Sequence, residues 1–285
     1  MEFPCTLTLK ELLESGAHFG HQTSRWNPRM KPFIFEEKNG LYIIDLAKTL
    51  AQLKKAVACI QTTIGQEKSI LFVGTKKQAK QIIREAAIEC GEFFASERWL
   101  GGMLTNMATI RNSVKTLNRI ELDLEASNSG LTKKELALLA KRHRKLLNNL
   151  EGVRHMNSLP GLLIVIDPGY ERIAVAEAGK LGIPVMALVD TNCDPTPINH
   201  VIPCNDDSMK SIRLIVNVLK DAVIDAKKRL GVEILSPVRP AERPAEEAVE
   251  ELPLPTGEAQ DEASSKKGGG RVLLWADIDN CEALK

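Results

Sequence analysis

The sequence predicts an α/β fold, a doubly wound (flavodoxin-like) parallel sheet, and three observations carry that prediction. Residues 69–73, 162–166 and 185–189 are short, nearly continuous apolar runs. Strands apolar at every position are buried on both faces, as in parallel sheets covered by helices. Helical patterns alternate with these runs, which is the signature of β/α crossover units. At 285 residues and 44% hydrophobic, the chain can bury one large core and carry an appendage.

Taken in order, residues 8–15 read as a short helix, with Thr8 as N-cap and Glu11 completing a capping box. Residues 18–34 read as an extended, ordered loop, because Pro28 and Pro32 bias their predecessors away from helix. Residues 33–35 and 41–44 are short β runs, and Asn39-Gly40 between them suits a hairpin turn. Asp45 then caps a helix reaching about Thr63, with Leu46, Leu50, Leu53, Val57 and Ile60 on one face. A buried strand at 69–73 leads through Gly74-Thr75 into a helix over 77–90, and 93–95 is another short strand. Strand 162–166, helix 171–180, strand 185–189 and helix 208–230 complete the series.

Residues 105–154 interrupt it. Met107, Ile110, Val114, Leu117, Ile120 and Leu124 mark one helix; Leu136, Leu139, His143, Leu146 and Leu150 mark a second. Ser127-Asn128-Ser129-Gly130 separates them, and Thr132 with Glu135 forms another capping box. The steps of three and four residues predict an inserted antiparallel helical hairpin of coiled-coil type, a second small domain. Residues 1–104 and 155–232 then make the sheet domain. Residues 233–285 hold five of the prolines and 12 acidic against 6 basic groups, and read as a disordered acidic tail. Its Val272-Leu273-Leu274-Trp275 is a short apolar motif without an assigned role.

The net charge of +1 hides an asymmetry: the remaining residues carry 32 basic and 25 acidic groups. A basic body suits a polyanionic partner. The densest cationic run is Lys141-Arg142-His143-Arg144-Lys145, with no acidic partner interleaved, and it reads as a phosphate-binding arm rather than a solvated helix face. Arg25, Arg29 and Lys31 flank Trp26, a pattern suited to a phosphate backbone and a stacked base, and equally to an anchored surface loop. Lys76 and Lys77 follow the Gly74-Thr75 turn, where bare amides attract anions; contact with an RNA phosphate and a tight turn with solvated lysines fit these residues equally. Arg98 precedes Trp99 and two glycines; the arginine suits RNA contact, while Trp99 reads as packed beneath the hairpin.

His18, His21, Asp190 and Asp206 would suit a structural Zn²⁺ or Mg²⁺ pinning the N-terminal segment to the sheet. Loop-capping carboxylates and hydrogen-bonded histidines are the more ordinary reading of the same residues, and the sequence favours it over the ion. No cofactor is otherwise required. Walker, dinucleotide, nucleophile-elbow and zincin motifs are absent, so the chain reads as non-enzymatic. The alternative is an α/β enzyme acting on a phosphorylated small molecule at the strand ends of Gly74 and Asp190. Six scattered cysteines without a Cys-x-x-Cys pair fit a reduced, cytoplasmic protein. No apolar run approaches the roughly 18 residues of a membrane helix.

Several blocks, in this order, resemble one family: residues 18–34 (HFGHQTSRWNPRMKPFI), Asp45-Leu46-Ala47-Lys48-Thr49, Ile70 to Lys76, Arg98 to Asn106 and Leu131 to Glu135. Ile164 to Asp167, Leu181 to Val185, Val189 to Pro195 and Val201 to Asp207 continue the series. Together they resemble the S-two family of the bacterial small ribosomal subunit, over about residues 8–230. That resemblance implies a ribosomal, translation-supporting role in the cytoplasm. It implies binding to small-subunit ribosomal RNA and contact with neighbouring small-subunit proteins, including recruitment of the S-one protein, with no membrane and no small-molecule substrate. Carried onto this chain, the RNA contacts are Arg25, Trp26, Arg29, Lys31, Lys76, Lys77 and Arg98. The hairpin adds Lys133, Lys134, Lys141, Arg142, Arg144 and Lys145. The acidic tail departs from the family pattern.

Overall fold

In the computed structural model, the described residues are 7–125, 132–232 and 234. The expected turn over 127–130 and, residue 234 apart, the expected acidic tail lie outside them. Helix α1 (Leu9–Glu14) begins at Thr8, whose hydroxyl and backbone exchange hydrogen bonds with Glu11 as the capping box requires. Strands β1 (Phe19–Gln22), β2 (Ile34–Lys38) and β3 (Leu41–Ile44) form an antiparallel sheet in the order β1-β3-β2. Asn39 and Gly40 both have positive φ, 53° and 75°, the geometry of a type I′ hairpin turn.

The segment 18–34 corrects the expectation of an extended loop. It contains β1 and two 3₁₀ turns, Thr23–Arg25 and Pro28–Phe33. Pro28 has the preset φ that suits a first helical position, and the Asn27 side chain accepts from the Arg29 N–H. Strand β1 exists because β3 supplies its hydrogen bonds, a partner that no local pattern announces.

Asp45 caps α2 (Leu46–Gly65) by accepting from the Ala47 and Lys48 amides. Beyond it lie β4 (Ile70–Val73), α3 (Lys80–Cys90), β5 (Phe93–Ala95), α4 (Met107–Glu125) and α5 (Lys133–Leu150). The chain continues with β6 (Leu162–Ile166), α6 (Arg172–Leu181), β7 (Val185–Val189), β8 (His200–Pro203) and α7 (Met209–Leu230). Helix α3 starts three residues later than expected, because the Ala79 and Lys80 amides turn back onto the Lys76 carbonyl. Strand β8 was not expected at all: with His200 and Pro203 in four residues it has no apolar run, and it exists by pairing with β7.

All five strands of the main sheet are parallel, in the order β5-β4-β6-β7-β8. In order of appearance within that sheet this is 2-1-3-4-5, the flavodoxin-like winding. Alternate residues feed opposite layers. Ile70, Phe72, Ile164, Met186 and Leu188 pack against α2, α3 and α7. Leu71, Val73, Val165, Ala187 and Val189 pack against α6, Trp99, Met103 and the helical pair.

Helices α4 and α5 lie side by side. Ile110, Leu117, Ile120 and Leu150 are buried, and Leu136, Leu139 and Leu146 are half-buried along the expected stripe. Thr132 and Glu135 complete the expected capping box. His143 meets Glu121 at 3.2 Å, and Arg154 grips the same carboxylate through both guanidinium nitrogens. Ile110, Leu117 and Leu150 join the apolar layer beneath the sheet, which seats the base of the pair on the body. No helix among the described residues is long and apolar enough to cross a membrane.

Candidate nucleic-acid interface

The expected basic residues separate into two groups once their neighbours are known. Lys133, Lys134, Lys141, Arg142, Arg144 and Lys145 are exposed along α5, and none has a carboxylate in ion-pair reach among the described residues. Arg25, Lys31, Lys77 and Arg98 are likewise exposed and carry no ion pair there. Arg29 is exposed yet pairs with Asp194 and donates to Thr196 Oγ1. Trp26 is half-buried, its ring tilted against Tyr42 with centroids 5.0 Å apart.

Lys76 departs from the expected phosphate contact. Its ammonium lies 2.7 Å from Asp206, 2.6 Å from Asp207 and 3.4 Å from Asp167. Burial pulls its pKa down, but the hydrogen bonds to Asp206 and Asp207 outweigh burial and the net shift is upward. Lys76 is thus an internal counterion.

The anion position at the β4 turn is also taken. The Thr75 N–H and hydroxyl both donate to Glu171 Oε1, at 2.8 and 2.6 Å. Gly74 is required for packing, since a Cβ there would sit 2.9 Å from Ile83 Cγ1. The alternative of a phosphorylated substrate at Gly74 meets an occupied site. A depression of about 350 Å³ does lie at the other strand end, lined by His21, Arg25, Asp190, Asn205 and Asp207.

Of the expected metal ligands, His21, Asp190 and Asp206 come together, with donor atoms within 4.8 Å of one another. His21 Nδ1 is 3.1 Å from Asp190 Oδ2 and Nε2 is 3.4 Å from Asp207. The hydrogen bond to Asp190 raises the His21 pKa against the opposing effect of burial. Asp206 Oδ2 is buried without a hydrogen-bond partner. Burial, with Asp167 and Asp190 close by, lifts the Asp206 pKa to about 7 despite Lys76. His18 does not join them. Its ring lies tilted against Phe19 with centroids 4.0 Å apart, and burial lowers its pKa.

β1 reaches this cluster through Gly20. A Cβ there would meet Thr191 at 2.7 Å, so only glycine lets the strand approach. The His21 N–H donates to Thr191 Oγ1 at 2.8 Å, and the Asn27 N–H to the Thr191 carbonyl at 2.8 Å.

Sequence reasoning missed Glu171 and Glu177, two buried carboxylates on or beside α6. Each looks like an ordinary helical glutamate, and only the distant donors that fold against it reveal its part. Trp99 is buried as expected, its indole N–H donating to Glu177 at 3.1 Å.

Residues 12–226 match the family model of ribosomal protein S2. Over its full length the chain is 98% identical to the small ribosomal subunit protein uS2 of Chlamydia trachomatis serovar D, and 85% identical to that of Chlamydia muridarum. It is 58% identical to that of Protochlamydia amoebophila over 92% of this chain and 94% of the relative. These matches cover both the sheet and the helical pair. They identify a structural component of the small ribosomal subunit, active in translation on the cytoplasmic ribosome, and neither an enzyme nor dependent on a cofactor. With residues 12–226 matched by the family model and relatives of 58–98% identity along most or all of its length, the chain belongs to the ribosomal protein S2 family.

Proposed function

We propose that this chain binds small-subunit ribosomal RNA by neutralising backbone phosphates on a preformed surface. The observation that carries the reading is the row of exposed α5 cations, Lys133, Lys134, Lys141, Arg142, Arg144 and Lys145, without carboxylate partners among the described residues. Solvated helices interleave charges for mutual support, and this one does not. Each cation that meets a phosphate releases condensed counterions, so binding follows charge and shape rather than sequence. Arg25, Lys31, Lys77 and Arg98 extend the surface over the body, and Trp26 offers a stacking face beside Arg25. Lys76 and Arg29 act within the protein, holding loops that present the others.

In this reading residues 105–154 form a coiled-coil-like arm, a domain in its own right beside the sheet domain of 1–104 and 155–232. The body also meets neighbouring small-subunit proteins, and recruits the S-one protein as the family resemblance implies. His21, Asp190 and Asp206 form a seat for a structural Zn²⁺ or Mg²⁺ ion, supported by the unpartnered Asp206 oxygen. An imidazole in the set favours Zn²⁺.

The test is to replace Lys141, Arg142, Arg144 and Lys145 together by Glu and to follow incorporation into subunits on sucrose gradients at low and high salt. The expected result is reduced incorporation, worse at high salt. Incorporation unchanged at both salts would remove the arm from RNA binding.

A further inference from the structure

We propose that Glu177 is the positioning residue of the helical arm: it acts as an internal anion that locks the loop feeding α4, and so sets where the arm's cations lie. The inference rests on the arm being an RNA-binding element.

Its carboxylate gathers the loop between β5 and α4 with unusual completeness. Oε1 accepts from the Gly102 N–H at 2.7 Å and from the Trp99 indole N–H at 3.1 Å. Oε2 accepts from the Leu104 and Thr105 amides, each at 3.1 Å, and from the Thr105 hydroxyl at 3.0 Å. Five donors spread over seven residues converge on one side chain that is 6% exposed. Gly102 has φ +85°, which a non-glycine residue rarely adopts, and that geometry turns its amide inward. A run of amides in such a turn is an anion cradle, and here the anion belongs to the protein.

The position of this cradle gives it a functional consequence. Helix α4 starts at Met107, two residues beyond Thr105, so the loop fixes the first leg of the arm. The second leg returns past α5 at Gly152, where a Cβ would lie 2.2 Å from the Phe94 carbonyl oxygen. Arg84 of α3 meets Glu151 beside it at 2.8 Å. Both legs are therefore anchored near β5, the first by hydrogen bonds to one carboxylate and the second by close packing. Simultaneous contact of several cations with a rigid polyanion requires that they be held in register, because ordering them on binding costs affinity. Releasing the first leg costs that ordering and leaves the cations themselves unchanged.

Gln cannot replace Glu177 without loss. Both carboxylate oxygens accept from donors only, so an amide NH₂ must oppose two or three N–H or O–H groups in either orientation. Trp99→Phe and Thr105→Val each remove a single donor and keep most of the packing, and they serve if Glu177 variants fold poorly.

The experiment is a double-mutant cycle with the full chain and transcribed small-subunit ribosomal RNA. Affinity is measured against salt for wild type, Glu177→Gln, the fourfold arm charge reversal, and the combination. Amide exchange at Gly102, Leu104 and Thr105 is followed alongside. The expected outcome is faster exchange and a severalfold loss of affinity for Glu177→Gln, with a shallower salt dependence, and no further loss from that change in the charge-reversed background. Trp99→Phe and Thr105→Val should show smaller losses in the same direction. Equal loss in both backgrounds would make Glu177 a general stability residue and overturn the inference. Unchanged affinity with accelerated exchange would overturn it too. Charge reversal without effect on affinity, seen in the variant that keeps Glu177, would instead strike the RNA-arm reading and the inference with it.

Discussion

Lys76 and Asp206 form an ion pair of 2.7 Å at the carboxyl edge of the main sheet, with Asp206 wholly buried. Asp167 from the end of β6 and Asp207 share the same ammonium. In doubly wound sheets this edge is where ligands collect, at the point where strand order reverses. Here Lys76 and the Thr75–Glu171 hydrogen bonds fill it with the chain's own groups. The cluster thus joins three loops that would otherwise repel as bare carboxylates.

Lys76→Met should cost about 3–5 kcal/mol, the range for removing one partner of a buried pair. Combining it with Asp206→Asn should recover part of that loss, since the uncompensated charge is then gone. Urea unfolding of the two variants checks this. A fourfold set in which the two single changes simply add would show that the pair does not interact.

The pH dependence follows from two carboxylates with opposite shifts. Asp206 titrates at about 7 in the folded chain against an ordinary 3.8. Between those values the native state keeps a proton that the unfolded chain has released, so its contribution to stability falls as pH rises through the interval. Glu177 is the reverse. Burial pushes it up, but the hydrogen bonds from Thr105, Gly102 and Trp99 prevail and its pKa is lowered. Its stabilisation is complete above the ordinary carboxylate range and is lost as pH falls toward the folded value. Unfolding free energy measured across the interval should decline less steeply with rising pH in Asp206→Asn than in wild type.

A second buried pair, Glu92–Lys227, offers an independent test. Lys227 Nζ lies 2.7 Å from Glu92 Oε1 and donates to the Cys90 and Gly91 carbonyls, while Glu92 Oε2 accepts from the Ile70 N–H at 2.7 Å. This ties α7 to the turn after α3 and to the start of β4. Glu92→Ala should destabilise by about 3–5 kcal/mol through a stranded ammonium. Adding Lys227→Met should relieve much of it, as chemical denaturation of the double variant would reveal.

For the ion seat, native mass spectrometry of the chain with Zn²⁺ should show one bound ion. Zn²⁺ at about a hundred times its Kd should raise stability by about 2.7 kcal/mol. His21→Ala and Asp190→Asn should each abolish the uptake. His18→Ala should leave it intact, because His18 lies outside the cluster. Uptake that survives His21→Ala would place the ion elsewhere.

Gly152→Ala should be among the most damaging single-methyl additions. The new Cβ would fall 2.2 Å from the Phe94 carbonyl oxygen and 2.6 Å from its ring, both in the packed base of the arm. Overpacking of this kind costs about 1–3 kcal/mol or more. A thermal midpoint equal to wild type would show that β5 can yield there.

What the sequence alone determined is what neighbouring residues decide. The Thr8–Glu11 and Thr132–Glu135 boxes, the Asp45 cap, the Asn39-Gly40 turn and the apolar runs of β4, β6 and β7 each state their structure within a few residues. The α5 cations were visible for the same reason, as a charge run without interleaved acids. Tertiary structure decided what depends on partners far along the chain. β1 and β8 are strands because β3 and β7 offer them hydrogen bonds. Lys76 reads as a cation for a phosphate until Asp206, 130 residues away, neutralises it. Glu177 reads as one more helical acid until five donors from residues 99–105 close on it. A charge is local in sequence, but its counterion is chosen by the fold, and that choice separates the cations left exposed and unpaired among the described residues from those that hold the protein together.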